Sequence, residues 1–468
     1  YADRYLLEVN GRYDGTSRYE KGSRFGFFPS FSGAWRISEE QFFQPAKKIV
    51  DNLKIRASYG QLGNQLNSNS YPYISTMGMS LSNWIMNSEK TQTVSAPAPI
   101  PGNLTWEKVI TKNIGVDFSL LNSRLSFTGD AYIRDTKDML INGELLPAVF
   151  GANSPKQNAG ELRTKGYEIS ISWKDQFKLA GKPFIYNVAF MLGDYKSKIT
   201  KFNNPTNLLS TYYVGQEYGE IWGYKTDGLF RSDEEAAAYD IDQRLMGAYI
   251  YNGQGDWRGF RGGDLKFVDM NGDKVINKGK NTLDDHGDLV KIGNSQPRYN
   301  YGMNLDLNWN NIDLSLFFQG IGKRDWYPGS NSGKFWGPLS RPYNNFIPEN
   351  FSSLVWTEDN KDAYFPVLRT YIAADGAGCL NSNAKNDRYL QNIGYLRLKN
   401  LMIGYTLPEQ WTKKIGVQHC RFYISGENLF TWSPLVTDYI DPEEAIANED
   451  GDLYPLSKTI SVGLDITF

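Results

Sequence analysis

Hydrophobic and polar residues alternate along most of the chain, and a period of two is typical of β-strands with two different faces. In the last segment, Ile, Val, Leu, Ile and Phe occupy every second position of 460–468, with Ser, Gly, Asp and Thr between them. The alternation recurs near 7–14, 114–134 and 301–318. Strands of about ten residues can cross a bilayer, whereas strands of ordinary sheets are about half as long. The pattern predicts roughly twelve such strands.

The predicted connections alternate between short and long. Short segments lie near 38–50, 121–123, 174–183, 310–311 and 408–416, and long ones near 64–103, 135–159, 199–296, 322–388 and 434–455. Bacterial outer-membrane barrels have this asymmetry, with short periplasmic turns and long extracellular loops. We therefore predict an all-β fold, a transmembrane antiparallel β-barrel, in which residues 1–468 belong to a single barrel and the long segments are extracellular loops.

The composition agrees with such a barrel. Aromatic residues make up 14% of the chain, and tryptophans lie near predicted strand ends at Trp35, Trp106, Trp173, Trp309, Trp411 and Trp432. A girdle at the two lipid interfaces would place them there, although tryptophan is also favoured in strands generally. The formal charge of −2 provides no basic field for nucleic acid. The two cysteines, Cys379 and Cys420, are too few for a disulfide framework.

The sequence gives little support for catalysis. The only two histidines, His286 and His419, are far apart, and no HExxH, GxSxG or Walker pattern is present. Paired acidic residues occur in predicted loops, where such pairs are usually solvated. We predict that the protein is not an enzyme.

One segment resembles the start of a calcium-binding loop. Oxygen ligands at positions one, three, five, seven and nine would come from Asp269, Asn271, Asp273, the Val275 carbonyl and Asn277. The pattern then departs from an EF-hand, because Lys274 stands where glycine allows the sharp turn and Lys280 replaces the bidentate glutamate. Asp284 or Asp285 would have to supply that carboxylate. The sequence leaves Ca²⁺ as a candidate cofactor beside a simple polar turn.

Two predicted loops have residues suited to binding. RDWYPGSNSGKFWGP contains Trp326, Tyr327, Phe335 and Trp336, which would stack on sugar rings, pack against peptide side chains or a partner, or fold their own loop. The acidic segment 441–452 would face a partner or keep the rim soluble. The sequence does not choose between these alternatives, so the substrate-binding residues stay unassigned.

Several segments, in order over nearly the whole chain, together resemble the SusC/RagA family of TonB-linked outer-membrane proteins. They are DGTSRY, FFPSFSGAWRISEEQFF, LKIRASYGQLGN, LTWEKVITKNIGVDFSLLNSRLSFTGDAY, GYKTDGLFRSDEE, GDLKFVDMNGDKVIN, YLRLKNLMIGYTLP, FYISGENLFTW and SVGLDITF. The resemblance implies the outer membrane of a Bacteroidetes-type bacterium and a barrel of roughly 22 strands, of which this chain is the C-terminal part.

The same resemblance implies partners and a function. Family members carry an internal plug, which we expect to lie outside this chain, and a SusD-like lipoprotein lids their extracellular mouth. They import oligosaccharides or peptides, driven by TonB acting on the plug. Two alternatives remain open: a structural or adhesin barrel that displays loops, and a soluble β-rich carbohydrate-binding protein.

Overall fold

The computed structural model describes all residues except 66–70, 98, 101, 103, 144–146, 148, 150, 152–153, 247–259, 341–346, 369–383, 448–449 and 452. In this part of the chain, twelve strands form one sheet and follow one another in chain order. They are β1 (Tyr5–Gly15), β2 (Phe25–Arg36), β3 (Val50–Asn64), β4 (Glu107–Leu120), β5 (Leu125–Asn142), β6 (Lys156–Leu179), β7 (Lys182–Lys201), β8 (Arg298–Trp309), β9 (Ile312–Lys323), β10 (Tyr395–Thr406), β11 (His419–Trp432) and β12 (Thr459–Thr467). The prediction of roughly twelve long strands is confirmed.

Shorter elements lie in the connections. Two-stranded antiparallel sheets pair Met79–Met86 with Glu89–Val94, Glu220–Gly223 with Val290–Asn294, Thr226–Leu229 with Leu265–Phe267, and Asp325–Trp326 with Gln391–Asn392. The described helices are Asp233–Ala238, Gly333–Trp336, Phe351–Leu354 and Glu409–Thr412, and the described 3-10 helices are Ile37–Glu39, Gln41–Lys48, Gly337–Leu339 and Lys413–Ile415. No helix among the described residues is long and apolar enough to cross a membrane.

The chain divides into two compact units. The first comprises Tyr1–Ile169 and Tyr195–Glu217, and the second Ser170–Asp194 and Tyr218–Phe468. Antiparallel pairing in each unit aligns like residues across strands, because side chains alternate between the faces of a sheet. In the second unit, Tyr405 pairs with Ile312 on one side and with Phe422 on the other, and Phe422 pairs with Leu464. These four residues therefore form an apolar row across β9, β10, β11 and β12 on one face of the sheet.

Tight turns close several hairpins. Asn310 and Asn311 join β8 to β9 with φ of 48° and 70°, as a two-residue turn of type I′ requires. Ala180 and Gly181 join β6 to β7, also with positive φ, so this connection is much shorter than the segment 174–183. The longest connections are 65–106, 202–297, 324–394 and 433–458, and 143–155 is shorter than the predicted 135–159 because β5 and β6 extend further.

Apolar side chains of the strands are largely exposed, and the buried apolar residues are concentrated elsewhere. Leu7 of β1 is 81% exposed, and Phe27, Ile114, Ile424 and Val462 are also exposed. Trp35, Trp411 and Trp432 are exposed as a lipid-facing girdle would require. Trp106, in contrast, is buried. It packs with Leu104 against Phe28 of β2 and against Tyr19 from the segment before β2.

Candidate functional site

The polar face of the first unit carries a network of ion pairs across three strands. Arg56 of β3 contacts Asp117 of β4 at 2.9 Å and Asp130 of β5 at 2.7 Å. Lys54 adds a second cation at 2.9 Å from Asp117, and Asn113 donates to Asp130 at 2.7 Å. The guanidinium and both carboxylates are charged, and hydrogen bonds between charged groups are stronger than those between neutral groups. These residues cross-link β3, β4 and β5 through the polar face.

The second unit repeats the arrangement. Arg421 of β11 contacts Asp313 of β9, with Nε 3.0 Å from Oδ1, and Asp465 of β12 at 3.4 Å. Near one end of β8, Arg298 donates to the buried Asp194 at 2.7 Å. Each unit thus has one exposed apolar face and one face on which charges are paired. A sheet of this kind suits lipid on one side and water on the other.

The aromatic residues singled out at 326–336 fold their own loop. Trp326, Phe335 and Trp336 are buried, and Trp336 has no exposed surface. The Phe335 ring lies 4.7 Å from that of Trp336, which in turn lies 5.0 Å from Tyr389. Tyr327 is half-buried, and its hydroxyl accepts from Asn386 Nδ2 at 3.1 Å. The structure therefore contains the third alternative given for these aromatic residues, in which they pack within their own loop.

The acidic segment 441–452 turns two of its carboxylates inward. Arg397 of β10 is 2% exposed and donates to Asp441 at 2.6 Å, to Glu443 at 2.8 Å and to Thr431 Oγ1 at 2.9 Å. Lys399 also contacts Glu443, at 2.7 Å. Asp441 additionally accepts the backbone N–H groups of residues 443 and 456. This cluster fastens the segment to the sheet, a role that its acidic composition alone did not indicate.

The residues of the calcium-like loop are brought together, but mainly by hydrogen bonds within the loop. Asp269 accepts the backbone N–H groups of Gly272 at 2.6 Å and Lys274 at 2.8 Å. These bonds, that from Lys274 foremost, hold the pKa of Asp269 below its ordinary value. Asp273 accepts from the Val275 N–H at 2.8 Å and from Asn271 Nδ2 at 3.0 Å. The Val275 carbonyl accepts from Asn277 Nδ2 at 2.7 Å.

Two further residues complete this loop. Lys274 adopts φ of 63°, the left-handed conformation for which glycine is favoured, so lysine does not prevent the turn. Asp288, which is fully buried, accepts from the N–H groups of Met270 and Asn277, each at 2.8 Å, and was not identified from the sequence. Among the described residues, no three His, Cys, Asp or Glu side chains are grouped to hold a metal. Oxygen donors of the type that Ca²⁺ prefers are present, and calcium binding here stays a prediction.

Two adjoining cavities lie in the second unit. The larger, about 520 Å³, is lined by Lys334, Phe335, Pro348, Glu349, Asn350, Phe351, Leu354, Phe365, Val436, Thr437, Asp438 and Tyr439. The smaller, about 320 Å³, shares Thr437 and Asp438 and is lined on its other sides by residues that include Arg397, Asp441 and Lys458. Both volumes are within the range of small-ligand sites.

The long antiparallel strands, the paired charges on one face and the exposed apolar surface on the other define a β-barrel of the outer-membrane receptor class. The family described as "TonB dependent receptor-like, beta-barrel" matches residues 1–272, more than half of the chain. The chain belongs to this family. The predicted fold class and the resemblance to SusC/RagA proteins are thereby confirmed.

Individual proteins similar to this chain are also TonB-dependent receptors. The chain is 28% identical over 498 residues to TonB-dependent receptor P3 of Formosa agariphila, and 26% identical over 481 residues to TonB-dependent receptor SusC of Bacteroides thetaiotaomicron. Both alignments cover the whole chain but only 44% and 42% of the relatives, so the chain spans less than half their length.

Solved structures show the same fold. The RagAB peptide transporter superposes with a TM-score of 0.72 at 21% identity, covering 99% of this chain and 46% of that one. The "closed-closed" state of the RagAB peptide importer superposes with a TM-score of 0.70 at 22% identity, again over 99% and 46%.

Proposed function

We propose that this chain is the C-terminal barrel portion of a transporter that imports oligosaccharides or peptides across the bacterial outer membrane. The family membership, joined to a sheet with one exposed apolar face and one ion-paired polar face, carries the proposal. A lipid-facing and a water-facing surface on alternating residues are what a barrel with an aqueous lumen requires.

The energy source and the lid follow from the resemblance to SusC/RagA proteins. TonB would act through the plug, outside these residues, and a SusD-like lipoprotein would cover the extracellular mouth of the barrel. The long connections at 202–297 and 324–394 contain buried apolar residues of their own. We expect such a lid to contact the exposed surfaces of these connections. RagAB is described as a peptide importer, and SusC as a TonB-dependent receptor.

Uptake by cells of the source bacterium tests the proposal. Cells would be given fluorescent oligosaccharides and fluorescent peptides in separate experiments, with and without the gene for this protein. We expect accumulation of one class of compound to depend both on the gene and on TonB. A matched strain carrying a plug-deleted form would retain the barrel in the membrane and lose uptake. Equal accumulation in all strains, with the protein present at the surface, would favour a barrel that only displays loops.

A further inference from the structure

The larger cavity combines an apolar floor with an acidic rim. Phe335, Phe351 and Phe365 form the floor and are 2–3% exposed. The Phe365 ring lies 5.5 Å from Phe335, edge-on at 80°, and 5.6 Å from Phe351. Because the three rings cover one another, they present a compact apolar surface rather than an open aromatic face. An aliphatic side chain fits such a floor better than a sugar ring, which stacks on an open face.

The charges at the rim are unbalanced. Glu349 and Asp438 are exposed, and in the described part of the chain neither carboxylate has an ion-pair partner. Lys334, the single cation among the described residues of the lining, donates to the backbone carbonyl of Leu453 at 2.9 Å. Tyr439 lines the same cavity and is 42% exposed. A tyrosine ring near carboxylates suits a positively charged group, which the ring attracts through its quadrupole and the carboxylates attract directly.

The two cavities are contiguous through shared residues. Thr437 and Asp438 line both of them, so the two cavities lie side by side at these residues. The second cavity adds Asp441 and Lys458, and there the Arg397 guanidinium is already bound by Asp441 and Glu443. An extended peptide advances about 3.3 Å per residue, and a few residues would therefore occupy both cavities.

We propose that these cavities bind a short peptide that places an apolar side chain on the phenylalanine floor and a basic side chain or amino terminus at Glu349 and Asp438. The proposal rests on the proposed import function and narrows its substrate class to basic-apolar peptides. It assigns the recognition to the described residues that line the two cavities, most of which lie in the connections after β9 and β11.

Calorimetry on the full-length protein, purified in detergent, tests this. The probes are the amidated peptide Lys-Leu-Lys-Leu, its acidic counterpart acetyl-Glu-Leu-Glu-Leu, and maltohexaose. We expect the basic peptide to bind at least about tenfold more tightly than the acidic one, with an affinity that falls as salt is added. Equal affinities for the two peptides, or tighter binding of maltohexaose at the same cavity, would overturn the proposal.

Variants locate the site. The isosteric change Glu349→Gln with Asp438→Asn is expected to weaken binding of the basic peptide about three- to tenfold, as loss of two exposed charge contacts would. The charge-matched control, Glu89→Gln with Asp359→Asn, alters two exposed carboxylates that do not line either cavity and should change binding less than twofold. Val436→Trp fills the larger cavity and is expected to abolish binding of both peptides.

If the double variant of Glu349 and Asp438 bound the basic peptide with unchanged affinity, these carboxylates would not be the binding site, and the proposal would be refuted even if import were intact. Failure of the import function would appear differently: the purified protein would bind the peptide, while cells would show no uptake that depends on TonB.

Discussion

The buried charge cluster at Arg397 predicts how the connection between β11 and β12 is held to the sheet. Arg397 is 2% exposed, and its guanidinium donates hydrogen bonds of 2.6–2.9 Å to Asp441, Glu443 and Thr431. The change Arg397→Met keeps an unbranched side chain, although a shorter one, and removes the charge. Asp441, whose side chain is only 6% exposed, would be left without its cation. Removing one partner of a buried ion pair costs about 3–5 kcal/mol.

That cost should appear as local opening of segment 441–456, since the hydrogen-bonded strands are held independently. At 1.4 kcal/mol per tenfold, the equilibrium constant for opening would rise by about 10²- to 4 × 10³-fold. Hydrogen exchange measured by mass spectrometry reports it, because the N–H groups of Glu443 and Leu456 donate to Asp441. The folded barrel is verified in each variant by its migration on an unheated gel.

The matched control is Lys413→Met, which breaks the Lys413–Glu409 pair. That pair has a distance of 2.7 Å, similar to those at Arg397, but its two side chains are 67% and 65% exposed. Water screens the attraction between such exposed charges, so we expect Lys413→Met to change hydrogen exchange little. If exchange in 441–456 were as slow in Arg397→Met as in this control, the cluster would not be what holds the segment.

Four further predictions concern other parts of the chain. Arg56→Met should lower the temperature at which the barrel unfolds on heated gels, by the equivalent of about 1.5–3 kcal/mol for hydrogen bonds to charged groups, whereas an unchanged transition would mean that the contacts to Asp117 and Asp130 do not stabilise the sheet. Trp336→Ala should destabilise the connection 324–394 by about 3–5 kcal/mol, seen as faster proteolysis there; loss of ligand binding without faster proteolysis would identify Trp336 as a substrate contact instead. The pKa of Asp269 is lowered chiefly by the Lys274 N–H, so its contribution is present above the pKa of a free aspartate and is lost as pH falls through the lower folded value. Exchange protection of 269–277 should therefore be constant from neutral pH to about 4 and decrease below it; protection that falls already near pH 6 would contradict this. Millimolar Ca²⁺ should raise that protection and Asp273→Asn should abolish the increase, whereas no effect of Ca²⁺ would exclude the predicted site.

The strands of the sheet were predictable because each carries its own local signal. Period-two alternation at 460–468 identifies β12 and its faces without knowledge of any partner. The tight turn at Asn310–Asn311 was predictable for a similar reason, since asparagine tolerates positive φ better than most residues.

The connections were less predictable because their residues act through partners far along the chain. The sequence shows Arg397 and Lys399 on a polar face, but their carboxylates come from residues 441 and 443. Composition likewise could not distinguish an aromatic residue that binds a ligand from one that folds a loop. Trp336 is buried because Tyr389 and Phe365 pack on it from later in the chain. Asp288 was missed because it lies beyond both Asn277 and the candidate carboxylates Asp284 and Asp285.

Purification of the native full-length protein from the source bacterium tests the central claim most directly. Cells would be broken and the membranes washed with salt, the outer-membrane fraction would be extracted with detergent, and proteins and small molecules that accompany this chain would be identified by mass spectrometry. We predict that the protein needs detergent for extraction, that a SusD-like lipoprotein co-purifies with it, and that a bound peptide or oligosaccharide accompanies the pair. Recovery of the protein in the aqueous fraction with no lipoprotein companion would contradict the account.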